Sequence, residues 1–389
     1  MTMPASRSIL YGSALALLSS TSAFAVDAEP FAERLTAVLE KQNLSIAYAG
    51  AKERGDDVVL NDVTFSVDDT SVNAGDLLFE GVKGSREEGY EITRFSTDLE
   101  RDNASSGWKI DDFVLEGIEI AGADQSSTTP TSSDLYFERA TLGEVQVTEG
   151  GEVSFSLTGS QIDNAFSNDG VLTSQFDLGN FMIKPAIGED EPSLVTKLDY
   201  EEMRGSASGK ASWNSRTGQL EIDQVKLAVD DAGTLTFSES LSGYTPDFIQ
   251  SAMQLQQRMA DKPDNTEAWT AGILGLISQL SLGELELSYE DASLVERLLG
   301  HYAELGGQSP EQLVATLDAM VPAMLAGLQN EEMQNEIASA VSRFLKDPQS
   351  ITISIDPTKP VPAPQILGAA LGAPATLPDI LNLGVTANQ

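Results

Sequence analysis

The sequence predicts an α+β protein, a long, twisted, mainly antiparallel β-sheet followed by a helix-rich C-terminal half. Three observations carry this. From Val58 onward, apolar and polar residues alternate in stretch after stretch, with Asn, Asp, Gly and Ser clusters between them. That is the pattern of half-buried strands joined by turns. After Gly243 the apolar residues recur at three- and four-residue spacing instead, one face of a helix. A six-residue unit with two polar residues in succession also recurs through the β region, as expected of strands that are repeatedly bulged.

The elements follow in order. Arg7 is the only basic side chain in the first 25 residues, and an apolar run from Ile9 to Leu18 leads to Ala23-Phe24-Ala25. This is the layout of a cleavable secretory signal of bacterial type, with cleavage expected after Ala25. The run is about half the roughly 20 apolar residues that a membrane span needs. Residues 1–25 are therefore read as a signal peptide and the working compartment as the periplasm. Phe31, Leu35, Val38 and Leu39 then mark one face of a leading helix.

Strands are expected at Val58–Val67, Glu91–Leu99, Trp108–Ile120, Leu135–Val147, Val153–Leu157, Leu172–Ile183, Leu194–Tyr200, Ser206–Trp213, Gln219–Val229 and Thr234–Leu241. Hairpin turns are expected at Asn168-Asp169-Gly170 and at Asn214–Gly218. The stretch Ala123–Asp134 has no large apolar residue and reads as a linker or exposed loop. It divides an N-terminal β segment, 26–122, from a second, 135–245.

The segment 246–389 is helix-rich. Helices are expected at Pro246–Met259, Asn265–Gln279 and Leu294–Leu305, with a strand at Leu280–Tyr289. Ser309-Pro310-Glu311-Gln312 is a capping box with Pro at the first helical position, opening a helix to about Leu328. A helix at Glu331–Leu345, a strand at Ser350–Ile355, a short helix near Gln365–Leu371 and a closing strand at Ile380–Thr386 complete the order. No charge occurs between Lys359 and Asp379, but five prolines interrupt that stretch. Proline removes donors that hydrocarbon cannot replace, so the segment is read as buried or docking and no transmembrane span is expected after residue 25.

The recurring unit reads L-N-D-V-T-F at Leu60–Phe65, I-D-D-F-V-L at Ile110–Leu115, F-E-R-A-T-L at Phe137–Leu142 and I-D-Q-V-K-L at Ile222–Leu227, with an echo at Tyr289–Leu294. Two adjacent polar residues shift the alternation by one, which suits a strand-corner device.

Composition excludes several functions. The formal net charge is −37, from 60 acidic against 23 basic side chains, and there is no cysteine. Such a chain repels polyanions, so nucleic-acid binding, which needs Lys and Arg on phosphates, is not expected. Disulfides, thiolate nucleophiles and Cys-ligated zinc are removed outright, as is a lipid-bearing cysteine.

The chain carries no recognisable catalytic motif. His301 is the only histidine, on a helix with Arg297 one turn before it, and no G-x-S-x-G elbow supplies a nucleophile for it. Ser106 and Lys109 form one S-x-x-K, but they enter a strand, where one turn of helix cannot bring amine to hydroxyl. The acid pairs Asp56-Asp57, Asp68-Asp69, Asp111-Asp112 and Asp230-Asp231 lie on strands or turns, where adjacent side chains point apart. No catalytic or cofactor-binding residue is assigned. Calcium, held by oxygen ligands in acidic loops such as Asp68–Asp76 or Glu189–Glu191, is the one metal considered, although no D-x-[DN]-x-[DN]-G run is present.

The secretory signal, the short strands carrying the unit at Leu60–Phe65, Ile110–Leu115 and Ile222–Leu227, and the stretch Leu285–Leu294 running into Val295-Glu296-Arg297-Leu298-Leu299 resemble the AsmA-like and YdgA-like (DUF945) envelope proteins. The resemblance implies envelope maintenance and, for some members, lipid handling. Those proteins generally keep an N-terminal membrane anchor, whereas the apolar run here is short. The expectation is a non-enzymatic exported envelope protein. If helices cover the apolar side of the sheet only in part, a groove for an acyl chain remains. The alternatives are a structural or protein-interaction module with acidic, calcium-binding loops, and a hydrolase using paired carboxylates.

Overall fold

The computed structural model describes residues 26–67, 70–102, 106–123, 134–185, 194–261 and 266–389. The expected signal peptide and its cleavage point lie outside these residues, as do Asp68, Asp69, Glu189–Glu191 and residues 124–133 of the expected linker.

One antiparallel sheet holds every strand described. The leading helix α1 (Ala28–Glu40) is followed by β1 (Ser45–Ala47) and β2 (Gly50–Arg54), which share β3 (Asp57–Val67) as partner. Then come β4 (Thr70–Glu80), the short β5 (Lys83–Ser85), β6 (Gly89–Asp102), β7 (Ser106–Ala121), β8 (Leu135–Glu149), β9 (Glu152–Phe166) and β10 (Val171–Ile183). After the single turn of α2 (Leu194–Lys197) the meander resumes with β11 (Met203–Asn214), β12 (Gln219–Val229) and β13 (Gly233–Ser242). A helical hairpin, α3 (Pro246–Asp261) and α4 (Thr266–Ile277), interrupts the chain before β14 (Ser281–Asp291). Helices α5 (Leu294–Leu305), α6 (Pro310–Leu325) and α7 (Glu331–Lys346) precede β15 (Ser350–Ile355) and the two-residue β16 (Val361–Pro362). The chain closes with α8 (Ala363–Gly372), α9 (Leu377–Leu381) and β17 (Leu383–Ala387).

From β6 to β14 each strand pairs with the next one in sequence. The two β segments that the linker divides are thus one sheet: β7 meets β8 from Ser106↔Glu149 to Ile120↔Leu135.

The recurring unit is a bulge in several copies. The register shifts between Leu60 and Val63 and between Ile222 and Val225. In the second copy Asp112 has φ of +52°, as Asp62 has φ of +53° in the first. The backbone N–H that each left-handed residue withdraws from the ladder is taken by a carboxylate on the adjacent strand. Asp62 donates to Asp76 Oδ1 at 2.9 Å and Asp112 to Asp98 Oδ1 at 2.7 Å. The last copy has another use: Asp291 Oδ1 accepts from Val295 N at 3.0 Å and leads β14 into α5.

Three expectations need correction. Leu194–Tyr200 is not a strand. It holds α2 and a turn with Asp199 at φ of +60°, because β10 already pairs with β9 and β11 and offers no free edge. The final strand begins at Leu383, not Ile380. Leu381 ends α9, and Asn382, left-handed at φ of +46°, reverses the chain. Strand β4 was not expected, since Thr70–Asp76 is small and polar and Gly75 sits at a register shift. The helices stand close to where their spacing places them, and the capping box at Ser309 and Gln312 is formed in both directions. Among the described residues no helix is long and apolar enough to cross a membrane.

Two helices close the ends of the sheet. Helix α1 buries Phe31, Leu35 and Val38 against Val58, Leu60, Leu77, Phe79 and Tyr90, with the Phe31 ring edge-on to Phe79 and Tyr90 at 5.2 Å. Helix α7 buries Ala340 and Phe344 against Ile351, Val385 and Ala387.

Candidate functional site

Residues paired across antiparallel strands stand on the same side of the sheet. The registers connect one such line of partners through thirteen strands: Val58, Phe79, Phe95, Leu115, Ala140, Ile162, Phe176, Gly209, Val225, Phe237, Leu287, Ile353 and Val385. Every member is apolar or glycine. The neighbouring line on the opposite side is polar where it can be followed without a break: Thr141, Gln161, Asp177, Ser208, Lys226, Thr236, Ser288, Thr352 and Thr386. The sheet therefore has one wet side and one side that carries a continuous apolar line. At about 4.8 Å per strand the apolar line is roughly 58 Å long.

Its two ends are covered and its middle is not. Val58 is fully buried beneath α1, and Val385 is 6% exposed beneath α7. Between them, none of the line's members from Leu115 to Leu287 is among the buried residues. Leu227 and Leu235, paired across β12 and β13 on the apolar side, are 38% and 39% exposed. Phe166 and Ile183 are also exposed.

The floor of this strip is built at close range. A Cβ on Gly209 would lie 2.6 Å from the Phe176 ring, and one on Gly205 would lie 2.6 Å from the Phe181 ring. Each ring thus lies across a neighbouring glycine. The aromatic fills the site that a side chain would take and keeps the strip smooth.

The margins are fixed by strand-end clusters. At one set of ends Trp213 donates Nε1–H to Tyr244 O at 2.7 Å and stands edge-on to the Tyr244 ring, which contacts Phe248 at the start of α3. At the other, Leu198, Tyr200 and Ala232 are buried with Met203 and Val229 against α5. There Arg297 stacks on the Tyr200 ring at 4.4 Å and donates to Leu198 O at 2.9 Å. One line over on the apolar side, Asn164, Ser174 and Glu239 form a more polar edge.

The residues weighed for catalysis do not assemble. His301 is half-buried on α5 beside Tyr302. Ser106 opens β7, and Lys109 on the same strand is ion-paired with Asp111, which holds its ammonium above the usual range through that hydrogen bond and charge. Of the acidic stretches, Asp76 accepts the bulge N–H of Asp62, and that hydrogen bond, with one from Asn61, holds its carboxyl below the ordinary range. Asp57 accepts from Gly81 N at 3.0 Å. Among the described residues no three His, Asp or Glu are grouped to hold a metal ion. What sequence reading misses is the register itself. Alternation shows which residues share a side within a strand, but the alignment of thirteen strands into one line depends on the bulges.

Compared with known proteins, residues 226–388 match a family model described as "Uncharacterized protein". That span runs from within β12 to the end of β17 and includes α7 and the C-terminal end of the apolar line. No curated protein matches the chain.

Proposed function

We propose that this protein binds the acyl chains of lipids along the open middle of its apolar line, as a non-enzymatic exported protein that holds or shields lipid in the cell envelope. The observation that carries the reading is an unbroken apolar line, closed by a helix at each end and open between. Isolated apolar side chains on a surface need no explanation, whereas a contiguous uncovered strip marks a binding surface. The open part, from Leu115 to Ile353, which is itself 39% exposed, is about 38 Å long at the usual strand spacing. An acyl chain reaches across one leaflet, about half of a ~30 Å hydrocarbon core, so the strip accommodates it fully extended. Each methylene buried contributes about 0.8 kcal/mol, which makes a long chain a strong ligand without any charged contact. The resemblance that the sequence suggests to AsmA-like and YdgA-like envelope proteins, and the secretory signal expected in residues 1–25, point the same way.

The test is saturable binding of a fluorescent fatty-acyl probe to delipidated full chain. A double substitution in the open strip, Leu227→Asp with Leu235→Asp, is expected to weaken binding at least about tenfold, since two carboxylates then face the chain. Absence of saturable binding to the unsubstituted protein overturns the proposal.

A further inference from the structure

At its N-terminal end the apolar line enters a cavity. Between α1 and the sheet lies a space of about 230 Å³ whose lining residues are all apolar. Leu35 and Leu39 of α1 form one wall, with Ile46 of β1, while Phe65, Phe113 and Leu135 stand on the sheet side. Phe65 belongs to β3 and Leu135 to β8, so the sheet bends around this space, since strands so far apart in a flat sheet could not both line it.

The cavity is too large to be ordinary packing loss. Protein interiors hold few voids bigger than one water, and a water takes about 30 Å³ of liquid volume. Water is a poor occupant, because it needs two or more polar partners and the wall supplies none. An empty apolar void also costs stability, because the lining atoms lose their dispersion contacts. The shape and chemistry suit several carbon atoms of a flexible hydrocarbon. The cavity is continuous with the strip: Leu115, which also lines it, is the first member of the apolar line beyond the residues buried under α1.

We infer that this cavity is a tail pocket, receiving the methyl end of an acyl chain whose remainder lies along the open strip with its carboxyl end toward β14. This rests on the acyl-binding reading above and adds a direction to it. The chain enters methyl end first, and α1 is the stop against which its length is measured.

Orientation can be read by bromine quenching. Phe113→Trp and, separately, Phe65→Trp place a reporter indole at two positions of the pocket lining, on β7 and on β3, in the full chain. Each is titrated with hexadecanoate brominated at the terminal carbon and with hexadecanoate brominated next to the carboxyl. The added fluorescence of either reporter, relative to the unsubstituted protein, is expected to be quenched several-fold more strongly by the terminal bromide. Saturable binding with equal quenching, or stronger quenching by the carboxyl-end bromide, overturns the tail pocket and leaves acyl binding standing. If neither acid binds saturably, the acyl reading fails and the pocket with it. Two reporters guard against one substitution disturbing the fold.

Discussion

Asp62 and Asp112 show one use this chain makes of its acidic residues. Each holds a left-handed backbone conformation that few side chains tolerate, and each would leave a donor stranded but for a carboxylate placed across the strand pair. The sequence shows Asp pairs, which invite a metal or hydrolase reading, whereas in the folded chain Asp112, from one such pair, forms the bulge itself and the acceptors are single carboxylates, Asp76 and Asp98. The consequence for pH follows from Asp76, whose carboxyl is held below its ordinary value of 3.8, first by the Asp62 N–H and then by Asn61. A carboxyl depressed in the folded state stabilises the fold above its ordinary value and loses that contribution as pH falls through the depressed one. Asp76→Asn is therefore expected to lower the melting temperature at pH 7. The difference from the unsubstituted protein should shrink once the pH is below 3.8. A gap that persists unchanged in acid would mean that the carboxylate charge is not what holds the bulge.

Helix α1 is the element that closes the N-terminal end of the sheet, and its anchoring is half legible in the sequence. The spacing of Phe31, Leu35 and Val38 gives its buried face. It does not give Arg34, which lies among them and is itself buried. Arg34 donates Nε–H to Ala121 O at 2.7 Å and pairs with Asp134 at 3.1 Å, where Lys41 joins it. Burial pushes the Asp134 carboxyl up, but the two cations outweigh it and hold the group below the usual range. These partners are 87 and 100 residues away in sequence, beyond any local pattern. Breaking a buried pair leaves an uncompensated charge, so Arg34→Ala is expected to cost about 3 kcal/mol by denaturant unfolding. A loss within about 0.5 kcal/mol, the size of an ordinary surface change, would show the pair to be incidental. Leu194–Tyr200 illustrates the opposite failure. Its composition permits a strand, and only the occupancy of both neighbouring edges forbids one.

Over the whole molecule, alternation predicts the sheet and the helical spacing predicts the C-terminal half. Which side of the sheet stays uncovered is not a local property. Helices α3 to α7 pack at strand ends, on one another and over β15 and β17. The net charge of −37 acts at this scale too. Self-repulsion of that size destabilises a compact state and is screened by salt. The melting temperature is expected to rise when sodium chloride is increased from 10 mM to 150 mM, over which the screening length falls from about 30 to 8 Å. A flat salt response would place the acidic groups too far apart to matter.

The sequential pairing of β6 to β14 has an architectural consequence. In such a meander each unit touches little beyond its neighbours, so stability approximates a sum over adjacent pairs, as in repeat proteins. One added strand would reverse the chain direction and misplace everything after it. A whole hairpin restores direction and keeps both sides in phase, lengthening the sheet by about 9.6 Å at the usual spacing. Helices α1 and α7 then act as terminators whose own contacts do not depend on how many hairpins lie between them. Length is an adjustable quantity in this architecture, set by the count of hairpins, while the ends stay the same.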